Sequence, residues 1–95
     1  MKDKRKGKLL RHFPVYINGK KCQVMKVRAE ADSLALLTKI RNPNLYSGRG
    51  KFAEIRHETD EGTTVFRVEG TGMAYHSPQY SAYYYRIIST EIEHD

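Results

Sequence analysis

The sequence predicts an α+β domain: an antiparallel sheet of four to five strands, in the order ββαβββ, with one helix packed on one face. Three observations predict it. Short runs rich in β-branched and aromatic residues recur along the chain, turn residues separate pairs of these runs, and one segment carries apolar residues at helical spacing. With 95 residues, of which 39% are hydrophobic, the chain has the length of one domain with one modest core.

The first predicted element is a hairpin over residues 13–28. Residues 13–17 are a run of β-formers, and Asn18-Gly19 suits the two positive φ angles of a type I′ turn. Residues 20–28 are expected to return as the second strand. Their alternation leaves open which face of this strand is buried.

Residues 29–41 are predicted to form the helix. Asp32 or Ser33 can accept hydrogen bonds from the free backbone N–H groups at its start, and Pro43 ends it. The apolar residues of this segment recur at helical spacing and form one stripe that would cover the sheet: Ala31, Leu34, Leu37 and Ile40.

Residues 51–58 and 63–69 predict a second hairpin, with its turn at residues 59–62. The last segment, residues 78–92, is compatible with a strand or a helix. Its richness in Tyr, Ile and Thr favours a strand, whereas Ser77-Pro78 could begin a helix whose tyrosines and isoleucines lie at helical spacing. The strand is the preferred interpretation.

The net charge of +6 is spread unevenly: residues 1–12 carry +5, residues 13–56 carry +6 and residues 57–95 carry −5. Residues 1–12 are expected to be a mobile basic tail because they have little to bury, and residues 13–95 a single α+β domain. The basic part could face nucleic acid. Alternatively, basic and acidic strands could neutralise each other as cross-strand pairs.

The leading hypothesis is a small non-enzymatic module that contacts the phosphate backbone of RNA or DNA. Clustered cations bind phosphates because they release condensed counterions, without reading the bases. The hypothesis requires that cations from separate stretches form one surface in the folded protein. The predicted contacts are Lys4, Arg5, Lys6, Lys8, Arg11, Lys20, Lys21, Arg49 and Lys51.

A second hypothesis is a protein-binding regulator or inhibitor that uses a Tyr-rich C-terminal surface. Tyr80, Tyr83 and Tyr85 are the predicted contacts, since tyrosine is enriched at interfaces. The alternative is that these rings line the core. An unpaired strand in this region would also be compatible with a homodimer.

A third hypothesis is a ribonuclease toxin. Glu54, Arg56, His57 and His76 supply the residue types that proton transfer and stabilisation of a charged phosphorane need. Because their spacing matches no catalytic motif, an exposed ion pair and surface histidines are the preferred interpretation, and an enzyme is the less favoured class.

Nothing in the sequence predicts a cofactor or a metal site. Cys22 is the single cysteine, so an internal disulfide is excluded. No apolar run approaches the roughly 20 residues that a membrane helix needs, so no membrane association is expected. The expected location is the cytoplasm.

Overall fold

The computed structural model describes residues 13–94, and in this part of the chain it is an all-β structure without an α-helix. The predicted α+β class is therefore wrong. Seven strands form one antiparallel sheet, and a short 3-10 turn, Pro43–Leu45, lies in the connection between the fourth and fifth strands. The strands are β1 (Phe13–Ile17), β2 (Lys20–Val24), β3 (Lys26–Glu30), β4 (Ser33–Thr38), β5 (Phe52–Thr59), β6 (Gly62–His76) and β7 (Ser81–Glu93).

The sheet curls until its two edges are joined by one stretch of chain. Its strand order is β2-β1-β5-β6-β7-β4-β3, so β2 and β3 are the edge strands. These two strands follow each other in sequence with only Met25 between them. The backbone N–H of Met25 donates to the carbonyl of Leu37 on β4 at 2.8 Å. Residues 20–30 thus act as one bent strand that pairs first with β1 and then with β4.

The core fills the concave face of the curled sheet. Alternate residues point inward, as the two-residue period of a strand requires. Val15 and Cys22 pair across β1 and β2, and both are buried. This pairing settles which face of β2 is inward. All strands but β3 contribute to the core, and the loop residue Leu45 completes it. The remaining core side chains of the strands are Ile17, Val24, Leu34, Leu36, Ile55, Phe66, Val68, Tyr83 and Tyr85.

A β-hairpin occupies the segment that was predicted to be the helix. β3 and β4 pair from Lys26 opposite Leu37 to Glu30 opposite Ser33, and Ala31 takes a positive φ of 53° in the turn between them. Leu34 and Leu36 face the core, while Ala35 on the other face is also shielded, with 6% of its surface exposed. A strand covered on both faces is apolar at consecutive positions, and such a run also fits helical spacing. Pairing with β7 decides between the two.

The predicted hairpins flanking this segment are confirmed. Asn18 and Gly19 have φ of 49° and 84°, as the predicted turn requires, and β1 pairs with β2 around them. β5 pairs with β6 around the second predicted turn. The last segment is the strand β7, as its composition indicates. Two differences remain. Residues 20–28 bend at Met25 instead of continuing as a single partner of β1, and β6 extends beyond the predicted end at residue 69 to His76.

Candidate functional site

Exposed cations gather at one end of the curled sheet. This end is formed by the Asn18-Gly19 turn, the connection between β4 and β5 (residues 39–51, called here the rim loop) and the start of β5. Six exposed cations of residues 13–94 lie at this end, and we call them the basic rim: Lys20, Lys21, Lys39, Arg41, Arg49 and Lys51. Their side chains come from β2 and the rim loop, which are distant in sequence.

Carboxylates are concentrated at the opposite end, where β5 turns into β6 and β7 finishes. Antiparallel pairing of Thr63 with Glu93 and of Val65 with Glu91 brings the end of β7 beside this turn. The acids that the structure describes at this end are exposed: Glu58, Asp60, Glu61, Glu91 and Glu93. The uneven charge of the sequence therefore becomes a separation of charge between the two ends of the fold, which favours the approach of a polyanion to one end only.

Ion pairs within residues 13–94 leave the basic rim unneutralised. Arg56 contacts Glu93 at 2.5 Å and Glu54 at 3.4 Å, and Arg86 contacts Glu69. The hydrogen bond to Glu93 is the main reason that the pKa of Arg56 is raised. Glu54 on β5 and Glu69 on β6 lie near the rim. Each of these two acids forms an ion pair with an arginine that is not part of the rim.

The rim loop is held by two tyrosine hydroxyls from the core. The backbone N–H of Asn42 donates to Tyr83 Oη at 2.7 Å, and Tyr85 Oη donates to the carbonyl of Leu45. Leu45 itself is fully buried in the core cluster. Burial of this hydroxyl in the core raises the pKa of Tyr85. The loop is consequently an anchored segment of the fold.

A second anchor joins the tip of the rim loop to β6. The N–H of Gly70 donates to the carbonyl of Lys51 at 2.7 Å, and the N–H of Gly72 donates to the carbonyl of Ser47 at 3.1 Å. A Cβ atom at position 70 would collide with the carbonyl oxygen of Gly48 and with Ser47. Only glycine permits this close approach. Arg49 and Lys51 are therefore carried on a docked loop tip.

Two shallow depressions separate the cations of the rim. The first, of about 690 Å³, is lined by Lys20 and Lys51 together with the aromatic rings of Tyr46 and Phe52. We call it the aromatic depression. The second, of about 430 Å³, lies between β2 and the end of β4 and is lined by cations from both sides: Lys21, Lys39 and Arg41. Neither depression is lined by an acidic side chain.

The structure brings together four of the nine predicted phosphate contacts. Lys20, Lys21, Arg49 and Lys51 all belong to the basic rim. The other five, Lys4, Arg5, Lys6, Lys8 and Arg11, lie outside the described residues. Phe13, the first described residue, lies at the far end of β1 from the Asn18-Gly19 turn. Lys39 and Arg41 were missed because the predicted helix separated them from Lys21; a strand in that segment would have indicated their position.

The predicted tyrosine surface is largely core. Tyr83 and Tyr85 expose 2% and 1% of their surface, so neither can contact a protein partner, and the alternative of core rings holds for both. Their hydroxyls bind the rim loop. Tyr80 is half-buried, and its ring lies 5.7 Å from that of Tyr75, which is exposed. A smaller outer tyrosine patch, Tyr75 and Tyr80, remains.

The four residues of the ribonuclease hypothesis do not form one site. His57 lies opposite Thr64 near the start of β6, whereas His76 ends the same strand and its Nδ1 atom lies 2.8 Å from Ser81 Oγ. Glu54 and Arg56 form the ion pair of the preferred interpretation. Burial lowers the pKa of His57, which faces the inner side of the sheet opposite Val15. The arrangement offers no acid and base across a common substrate.

Comparisons with known proteins find no relative. The chain matches no known protein family, and no curated protein or solved structure is significantly similar to it. Within residues 13–94, no helix has the length and apolar character that crossing a membrane would require. The same residues contain no group of three His, Cys, Asp or Glu side chains that could hold a metal ion.

Proposed function

We propose that this protein is a nucleic-acid-binding module whose basic rim contacts the phosphate backbone. The observation that supports the proposal most is the grouping of six exposed cations at one end of the sheet, where five of them line two depressions that no acidic side chain lines. Phosphate contacts release counterions and give affinity that depends little on sequence. The acidic opposite end repels the same polyanion and so orients the protein on it.

The anchoring of the rim loop supports binding by a preformed surface. Hydrogen bonds with Tyr83, Tyr85 and the β6 glycines fix the backbone that carries Arg41, Arg49 and Lys51. A surface that is ordered before binding loses less conformational entropy when the ligand binds. The function proposed is binding without catalysis. The proposed location is the cytoplasm. Thiols stay reduced there, and the single cysteine of this chain, Cys22, is a free and buried thiol.

Five of the six cations of residues 1–12 belong to the proposal on sequence grounds alone. They would add sequence-independent phosphate contacts to those of the rim. Replacing Lys4, Arg5, Lys6, Lys8 and Arg11 by glutamine should weaken binding at low salt without changing which surface of the domain is used. Binding that depends on residues 1–12 and not at all on the rim would contradict the proposed site.

The test compares two double variants with equal charge. Lys20→Gln and Lys51→Gln remove two positive charges from the rim, whereas Lys26→Gln and Arg28→Gln remove two exposed charges elsewhere. Fluorescence anisotropy with a labelled 20-nucleotide strand should give a dissociation constant on the order of 10-fold weaker for the rim variant at low salt. The control variant should lose far less. Equal losses would show that net charge, and not the rim, determines affinity.

A second candidate function is protein binding through the outer tyrosine patch. Tyr75 is 50% exposed, its neighbour Met73 is 63% exposed, and Tyr and Met are enriched at interfaces. A protein partner retained after nuclease digestion, and lost with Tyr75→Ser and Tyr80→Ser but not with the rim variant, would favour this function over nucleic-acid binding.

A further inference from the structure

Two aromatic rings stand exposed in the aromatic depression of the basic rim. Tyr46 exposes 51% of its surface and Phe52 exposes 71%. They come from different elements, since Tyr46 follows the 3-10 turn of the rim loop and Phe52 begins β5. Lys20 and Lys51 line the same depression. Aromatic and cationic side chains thus meet in one concave site.

Neither ring is part of the hydrophobic core. The core cluster of the described residues does not include Tyr46 or Phe52. An exposed phenylalanine forgoes the stabilisation that burial of its ring would bring, and an exposed apolar patch rimmed by polar groups marks a binding site. The polar side chains that line this depression are Asn18, Asn44 and Ser47.

Tyr46 is held before any ligand arrives. Its hydroxyl donates to the carbonyl of Gly72 at 3.3 Å, and its chain neighbour Leu45 is fully buried. Its backbone N–H donates to the carbonyl of Pro43 at 3.1 Å. Phe52 is fixed at its backbone by pairing with Glu69 on β6. Rings on such ordered backbone present a stacking surface at low entropic cost.

We propose that Tyr46 and Phe52 stack on unpaired bases, so that the nucleic acid bound at the rim is single-stranded. This inference rests on the proposed function. Every base has a π-face, and stacking on aromatic side chains is how proteins hold single strands without reading their sequence. In a duplex the faces of the bases are already stacked on each other, so the rings would have no partner. Lys20 and Lys51 bind the phosphates that flank the stacked bases.

The first experiment measures what the bases add to binding. Anisotropy titrations use the full chain with three labelled ligands: a 12-nucleotide oligothymidine, a strand of equal length with abasic sites in place of its bases, and a 12-base-pair duplex. We expect the oligothymidine to bind at least ten-fold more tightly than the abasic strand, because only the first ligand can stack. The duplex should bind more weakly than the oligothymidine at the same salt concentration.

Substitutions then assign the difference to the two rings. Tyr46→Ala and Phe52→Ala should each weaken oligothymidine binding by about ten-fold and leave binding of the abasic strand unchanged. Phe52→Tyr keeps a ring and should restore the affinity. Tyr75→Ala is the matched control, because Tyr75 is equally exposed but does not line the depression. A cooperative thermal unfolding transition in each variant would show that the variants fold.

The outcomes separate the two proposals. If none of the three ligands binds, the proposed function itself fails. If all three bind equally and the alanine variants match the wild type, phosphate binding stands and the stacking inference is overturned. If polyglutamate displaces the oligothymidine as readily as unlabelled strand does, the depression accepts acidic peptides, which also overturns it.

Discussion

Tyr83 Oη, on the inner face of β7, accepts a hydrogen bond of 2.7 Å from the backbone N–H of Asn42 in the rim loop. One partner belongs to the core, and the other lies one residue after Arg41 of the basic rim. This bond links core packing directly to the position of the proposed phosphate contacts. The tyrosines that distinguish the composition of the C-terminal segment therefore support the rim from within.

Removing this hydroxyl should loosen the rim loop. Tyr83→Phe leaves the part-buried N–H of Asn42 without its acceptor, which typically costs about 1–2 kcal/mol of unfolding free energy. Urea denaturation measures this loss, and hydrogen exchange at the Asn42 amide should become faster. The control is Tyr75→Phe, an exposed site where a change within about 0.5 kcal/mol is expected. Equal stabilities of the two variants would mean that the bond does not hold the loop.

The docking of the rim loop on β6 should not tolerate a methyl group at position 70. Gly70→Ala forces Cβ into the carbonyl oxygen of Gly48, and such overpacking costs about 1–3 kcal/mol. At Gly48 a Cβ would meet only the side chain of Lys51, at 3.7 Å. Gly48→Ala is therefore the control and should be nearly neutral. Thermal unfolding of both variants tests the expectation, and a fully stable Gly70→Ala protein would refute the close approach.

One substitution should change the unfolding free energy in opposite directions in the observed hairpin and in the predicted helix. Ala31 has a φ of 53°, which costs a residue with a side chain about 1–2 kcal/mol and costs glycine little. Ala31→Gly should therefore stabilise the protein slightly, by about 0.5 kcal/mol after the loss of backbone entropy. In a helix the same change would destabilise by about 1 kcal/mol. Ala29→Gly, in β3, is the control and should destabilise.

Local signals in the sequence predicted the hairpins correctly. Asn18-Gly19 favours the positive φ angles of a type I′ turn through its residue types alone, so its turn could be identified without knowledge of the rest of the chain. Residues 29–41 carry no such constraint. Leu34 and Leu37 fit a helical stripe, whereas Leu34 and Leu36 fit the inner face of a strand, and contact with β7, more than forty residues later, selects the strand. No short stretch of the sequence indicates this contact, because its two strands are far apart along the chain.

The candidate site could be predicted only in part, because local signals identify some of its residues whereas others depend on long-range contacts. Lys20, Lys21, Arg49 and Lys51 were identified because turns and glycine loops expose their residues. The contribution of Lys39 and Arg41 depends on the strand that precedes them, which the helix prediction concealed. The sequence did not indicate a role for Tyr46 or Phe52, because an isolated aromatic residue is usually expected in the core. The fold shows that both rings are exposed in one depression.

The central claim is that the basic rim binds phosphates, and the salt dependence of affinity tests it most directly. The slope of log affinity against log salt concentration changes by about 0.7 for each phosphate contact on a single strand. Removing Lys20 and Lys51 should therefore make the slope about 1.4 units shallower than that of the wild type, while the control variant at Lys26 and Arg28 keeps the wild-type slope. A wild-type slope near zero, or one that both variants reduce equally, would contradict the account.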